Sequence, residues 1–327
     1  MCDTSRMATV LLAVGEIRGT VCAVLANKYK GGQSTFDPEC ETMKRVLSFW
    51  GEQLKTATNT DDTDPAIFEV YNTVAMHTIA GACARQDKNV LSLVPILHEA
   101  IASPGPNGAI VARTIGGLVK TNELLTAENH AVVKRFYKQW AYTHFAKPLY
   151  DLALPTGDED TAFAAGRYTT AILSLVSNCP FGVYQEDLPA LVRLLITALN
   201  NNNNSSGQGD ITQPQVATSL EVLVEILANE PEALKEHLKA IITAGMKTYE
   251  EATTKSTGNK VLARNLAAAR KLTLQLLGAI PKKFEERHLL PYALPMQRML
   301  AMASGDKSRE ARKVALMARE NWAKISA

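Results

Sequence analysis

The chain is poor in aromatic residues, has no clustered cysteines, carries no Pro/Ser/Gly-rich linker between two halves, and contains no long apolar run. Aromatics make up 6% of its 327 residues, so leucine, alanine, valine and isoleucine must fill the interior, a composition that favours helix packed on helix. The five cysteines (Cys2, Cys22, Cys40, Cys83, Cys179) are odd in number and scattered, with no CxxC pair. They read as reduced thiols of a cytosolic or nuclear protein rather than as a disulfide framework, a zinc site or an iron-sulfur site. No stretch approaches the roughly 18 uncharged apolar residues of a membrane span. Even the uncharged run 168–185 is broken by Thr, Ser, Asn and Pro180. A soluble protein with no membrane partner is expected.

Sequence signs of catalysis are also missing. Gly116-Gly117 followed by Lys120 lacks the GxxxxGK[ST] spacing of a phosphate loop and falls in a helical pattern, where glycine lets helices approach closely. The six histidines (His77, His98, His130, His144, His237, His288) show no HExxH or other ligand spacing and read as structural. Acidic pairs such as Glu285-Glu286 and Glu250-Glu251 are adjacent, so on a helix they point about 100° apart and cannot face one another across a substrate. Neither an enzyme nor a cofactor-binding protein is expected.

What is present is repetition. Met296, Met299, Leu300 and Ala303 fall on one face of a 3.6-residue period, and Ala311, Val314, Ala315, Ala318 and Trp322 fall on another. Between them Ser304-Gly305-Asp306 supplies a helix stop and a new cap, the aspartate accepting free N–H groups of the next helix. An aspartate followed by an arginine and small residues at helical spacing is the second-helix signature of a HEAT-type hairpin. Three prolines, Pro180, Pro231 and Pro281, recur with a period of about 50 residues, each between two apolar-striped helices. In the first half Met43, Leu47, Trp50 and Leu54 keep the same grammar, and Asp64-Pro65 opens a helix with proline in its first turn.

These patterns predict an all-α, α-α superhelix of HEAT/ARM type. The expected organisation is a single array over 1–327 of about six helical pairs, cut from a longer solenoid. Loops are expected at 30–33, 58–64, 103–108, 156–160 and 200–210, the last asparagine-rich, mobile and without an apolar anchor.

The net charge is only +2, but it is unevenly spread. From Lys260 onward there are fourteen basic and five acidic residues, leaving twenty-one basic and twenty-eight acidic residues for the rest. The C-terminal end is a basic cap on an acidic body. Such charges serve either as solvated helix faces or as a docking surface. On the second reading Tyr292, Arg309, Arg312, Lys313, Arg319 and Trp322 combine charge with aromatic anchors. That mixture suits an acidic protein partner better than a phosphate backbone. Trp322 also fits a core or end-capping role, because it continues the Ala311, Val314, Ala315, Ala318 stripe.

The run Leu289-Leu290-Pro291-Tyr292, the basic hairpin with Asp306-Lys307 and Arg312-Lys313, and Ala318-Arg319-Glu320-Asn321-Trp322 resemble the C-terminal end of the MMS-nineteen family. Leu25-Ala26-Asn27-Lys28, Arg135-Phe136-Tyr137 with Phe145, and Asp187-Leu188-Pro189 with Leu191, Leu194 and Leu195 extend the resemblance over nearly the whole chain. The resemblance implies a scaffold of the cytosolic iron-sulfur assembly targeting complex. Its C-terminal HEAT repeats would dock a small adaptor with a reactive cysteine and, through it, a β-propeller subunit. The complex would deliver clusters to apo-proteins of DNA replication, repair and transcription, in cytoplasm and nucleus. The scaffold itself would hold no cluster and contact no nucleic acid directly. The alternative is a HEAT-type transport or nucleic-acid binding module using the same basic cap on a polyanion.

Overall fold

Among the described residues, apolar residues one helical turn apart fold the chain into fourteen α-helices, with short 3-10 turns and one π-helical turn between some of them, and one small β-hairpin. The computed structural model describes residues 4–24, 27–30, 33–36, 41–59, 64–153, 159–201, 213–255 and 260–325. The expected all-α repeat class holds. The expected loops at 30–33, 58–64, 156–160 and 200–210 fall wholly or partly outside the described residues. Two compact units divide the chain, Met1–Tyr184 and Gln185–Ala327.

In the first unit α1 (Thr4–Val24) precedes an antiparallel hairpin of β1 (Asn27–Lys30) and β2 (Gln33–Phe36), with Asn27 opposite Phe36. Then come α2 (Glu41–Asn59), α3 (Pro65–Ala84), α4 (Leu93–Ala102) and α5 (Pro106–Thr114), followed by α6 (Tyr137–Ala141), α7 (Leu149–Leu152) and α8 (Glu159–Val176). α1 lies along α3, α3 on α5 and α5 on α8, with α2 and α4 as a second line beside them. Leu47, Trp50 and Leu54 are buried as their spacing required. The helix expected at Asp64-Pro65 begins there, with the Ala66 N–H donating to the Asp64 carboxylate at 2.9 Å.

Gly116 sits in a 3-10 turn, Ile115–Leu118, rather than in an α-helix, but the close approach it was expected to permit is present. A Cβ there would collide with the Ser174 carbonyl of α8, and the Gly116 N–H donates to Ser174 Oγ at 3.0 Å. At the end of α3, Arg85 Nη2 lies 2.7 Å from Asp87 Oδ2 with both side chains almost wholly buried. Its Nη1 donates to the Cys22 carbonyl at 2.5 Å, tying the end of α1 to the end of α3. Such a pair costs desolvation to form, and losing one partner would strand a buried charge.

The second unit contains α9 (Leu188–Asn201), α10 (Gln213–Asn229), α11 (Leu238–Thr254), α12 (Lys260–Ala279), α13 (Glu286–Ala303) and α14 (Arg309–Trp322). The three prolines stand where the period put them. Pro180 precedes the turn Phe181–Val183, Pro231 opens the turn Pro231–His237, and Pro281 lies in the turn Ile280–Lys282. Two layers result. α12 packs closely on both α10 and α14, whereas in the other layer α11 touches α9 and α13 more lightly. The tight seam between α12 and α14 needs small residues: a Cβ on Gly278 would lie 2.5 Å from the Ala318 Cβ. Trp322, 0% exposed, closes that seam by donating from Nε1 to the Leu277 carbonyl at 2.8 Å. Asn321 Nδ2 donates to the Gly278 carbonyl, also at 2.8 Å. Two carbonyls in the last turn of α12 thus gain donors from α14.

Trp322→Ala should destabilise the second unit by about 4 kcal/mol through lost packing, and Trp322→Phe by clearly less. Urea denaturation of the two variants checks the order; equal losses would mean that the ring packing is not what the tryptophan supplies.

Candidate partner-docking site on the C-terminal hairpin

The turn between α13 and α14 is built around one carboxylate. The Ser304 N–H bonds back to the Leu300 carbonyl, closing α13, and Ser308 is the N-cap of α14, its Oγ accepting from the Ala311 N–H at 3.4 Å. Asp306, expected to do the capping, accepts the Ser308 N–H at 2.7 Å and spends the rest of its carboxylate elsewhere. Arg270 of α12 approaches it with two nitrogens, Nε to Oδ2 at 2.8 Å and Nη2 to Oδ1 at 3.2 Å. The Tyr249 hydroxyl of α11 donates to Oδ2 at 2.9 Å. Arg270 Nη1 reaches the Ala252 carbonyl at 3.0 Å. One aspartate therefore joins α11, α12 and the start of α14. Burial would push its carboxyl up, but the hydrogen bonds from Arg270, the Ser308 N–H and Tyr249, with the Arg270 charge, hold it below the ordinary aspartate range. Burial, the hydrogen bond to Asp306 and its negative charge push the Tyr249 phenol up to about 12.

The six residues expected to meet a partner do not form one patch. Arg309 and Lys313 are exposed one turn apart on the outer face of α14, and Arg319 is exposed on its flank. Arg312 is half-buried and already engaged. Its Nη1 donates to the Asp306 carbonyl at 2.6 Å and the Lys307 carbonyl at 3.2 Å, so it braces the turn rather than reaching outward. Tyr292 is half-buried on α13. Trp322, expected as an aromatic anchor for a partner, offers no surface at all, because its indole is consumed by the seam with α12.

Two apolar residues not anticipated share the outer face with Arg309 and Lys313. Leu316 is 53% and Met317 52% exposed. Their signal was in the sequence, since both fall outside the Ala311, Val314, Ala315, Ala318 stripe while being apolar. Leu290 and Leu294, one turn apart on α13, are also exposed. Glu310 and Glu320 interrupt the positive charge of α14. The surface is thus mixed, two cations beside two exposed apolar side chains on a helix fixed at both ends.

Among the described residues no group of three or more His, Cys, Asp or Glu side chains is placed to hold a metal, and no helix is long and apolar enough to cross a membrane. Cys22, Cys83 and Cys179 are free and buried, while Cys2 and Cys40 lie outside the described residues. Burial pushes the Cys22 thiol up to about 11 against the pull of Arg85 and Arg18, and pushes Cys83 up as well, with the Asp87 charge adding to it. Neither is poised to react as a thiolate. Burial also lowers His77 and His98.

Residues 20–281 match the family model for MMS19 described as RNAPII transcription regulator C-terminal. No curated protein matches the chain. The matched span reaches from α1 to the turn after α12, so it covers most of both units but stops short of the α13 and α14 hairpin.

Asp306→Asn should destabilise the second unit by about 3 kcal/mol at neutral pH, because it leaves Arg270 facing an uncharged group in a buried place. Since folding depresses this carboxyl below its ordinary value of 3.8, its contribution is complete above that pH and disappears as pH falls through the lower folded-state value. Chemical denaturation across pH should show the gap between the native chain and the variant closing at the acid end; a constant gap would mean that charge plays no part.

Proposed function

The chain belongs to the MMS19 C-terminal family, and on that premise we propose that it is a scaffold whose C-terminal hairpin docks the adaptor and β-propeller subunits of the cytosolic iron-sulfur targeting complex. The complex would serve apo-proteins of DNA replication, repair and transcription, in cytoplasm and nucleus. One observation carries this reading. α14 turns Trp322, Asn321 and Arg312 inward to fix its own position, and leaves Arg309, Lys313, Leu316 and Met317 outward. A pre-positioned helix presenting apolar side chains ringed by charge loses little freedom on binding. The apolar pair offers desolvation while the cations steer an acidic partner and fix its register.

The same mixture argues against the polyanion alternative. Leu316, Met317 and Glu320 occupy the outer face between the cations, and a phosphate backbone gains nothing from them.

Because Arg312 braces the turn, reversing it would disturb the fold; Arg309 and Lys313 are the residues to change. The double variant Arg309→Glu, Lys313→Glu should weaken binding to the adaptor at least about tenfold in calorimetric titration, which corresponds to about 1.4 kcal/mol, with an unchanged melting temperature. Unchanged affinity would sink this docking face. A steep loss of affinity for a DNA duplex with rising salt would instead favour the polyanion reading.

A further inference from the structure

The lightly packed layer of the second unit leaves an open trough of about 870 Å³ between α11 and α13. Its floor is the first half of α12, where Ala263, Leu266 and Ala267 face the opening. Two of the three are alanines, so a visiting chain can come close to the α12 backbone. The walls are rich in methionine: Met246 comes from α11, and Met299 and Met302 from α13. Met302 is 73% exposed. Methionine is unbranched and polarizable, and it adapts to differently shaped apolar side chains.

The rim adds charge of one sign. Lys255, Arg298 and Lys307 stand around the opening against Glu250 alone, and among the described residues none of the three cations has an ion-pair partner. The other charges at the wall, Arg270 and Asp306, neutralise each other. An apolar trough with a positive rim is complementary to an acidic segment with apolar anchors.

We propose that the trough between α11 and α13 is a second docking site, separate from the outer face of α14, that takes a short acidic peptide segment of a partner protein with apolar anchors on one side. The anchors would settle among Met246, Leu266, Met299 and Met302, and the acidic residues would meet Lys255, Arg298 and Lys307. The site does not depend on the partners proposed for α14.

The test is to pan a random linear peptide display library against the full chain, with the Ala267→Trp variant as counter-target. The enriched sequence is then synthesised with a fluorescein label and titrated by anisotropy. Enriched peptides should carry Asp or Glu around Leu, Met or Phe. Affinity should fall at least about tenfold on A267W, which fills the floor, and on Met302→Asp, which places an anion on the wall at an exposed position where the fold loses nothing. Circular-dichroism melts confirm that both variants are folded. Affinity should survive the Arg309→Glu, Lys313→Glu double change, so that a failure of the α14 face and a failure of the trough read out separately. No enrichment, enrichment of basic peptides, or binding unaffected by both A267W and M302D would overturn the proposal.

Discussion

Asp306 is the constraint on which the end of the molecule depends. Its carboxylate accepts bonds from α11, from α12 and from the backbone that begins α14, while its own carbonyl receives Arg312. In a helical repeat each hairpin is stabilised by its own packing and by its neighbours. A buried charge with every hydrogen-bonding position answered turns the contact of α13 and α14 with the preceding hairpin into a defined geometry, because any slip would strand either the carboxylate or the guanidinium. Arg85 and Asp87 make a comparable lock in the first unit, where the arginine also holds the Cys22 carbonyl.

The tight layer of the second unit follows from side-chain size. Gly278 against Ala318 lets α12 and α14 pack almost backbone to backbone, and the Trp322 indole fastens the seam. On the other side α11 and α13 pack only lightly, and the surface of α12 between them stays open as a methionine-lined trough. The same unit therefore offers a rigid, partly apolar helix face and a groove. A scaffold needs both rigidity and unsatisfied surface, and here each comes from a different layer.

Much of the architecture was legible because it is written in local periodicity. The stripes of Met296 to Ala303 and Ala311 to Trp322, the three prolines between helices, and the proline opening α3 all depend on near neighbours in sequence. The residues proposed for docking were less legible because their availability depends on what lies across the turn. Arg312 has the composition of a docking residue, but the carbonyls of Asp306 and Lys307 stand within its reach. Trp322 fitted both stripe and surface, and only the Leu277 carbonyl across the seam decides between them. Leu316 and Met317 were visible as apolar residues off the stripe, yet their meaning came from finding them exposed beside Arg309 and Lys313. The partnership of Arg270 with Asp306 joins positions thirty-six residues apart, which no helical spacing predicts.

The family match ends before α13, so membership rests on the body of the two units, and the docking role proposed for the last hairpin rests on its own geometry. The most direct test is hydrogen–deuterium exchange of the chain alone and with the adaptor and β-propeller subunits added. The account predicts new protection concentrated in α14 and the facing residues of α13. Protection confined to the first unit, or no change in α14 while the subunits bind, would contradict it.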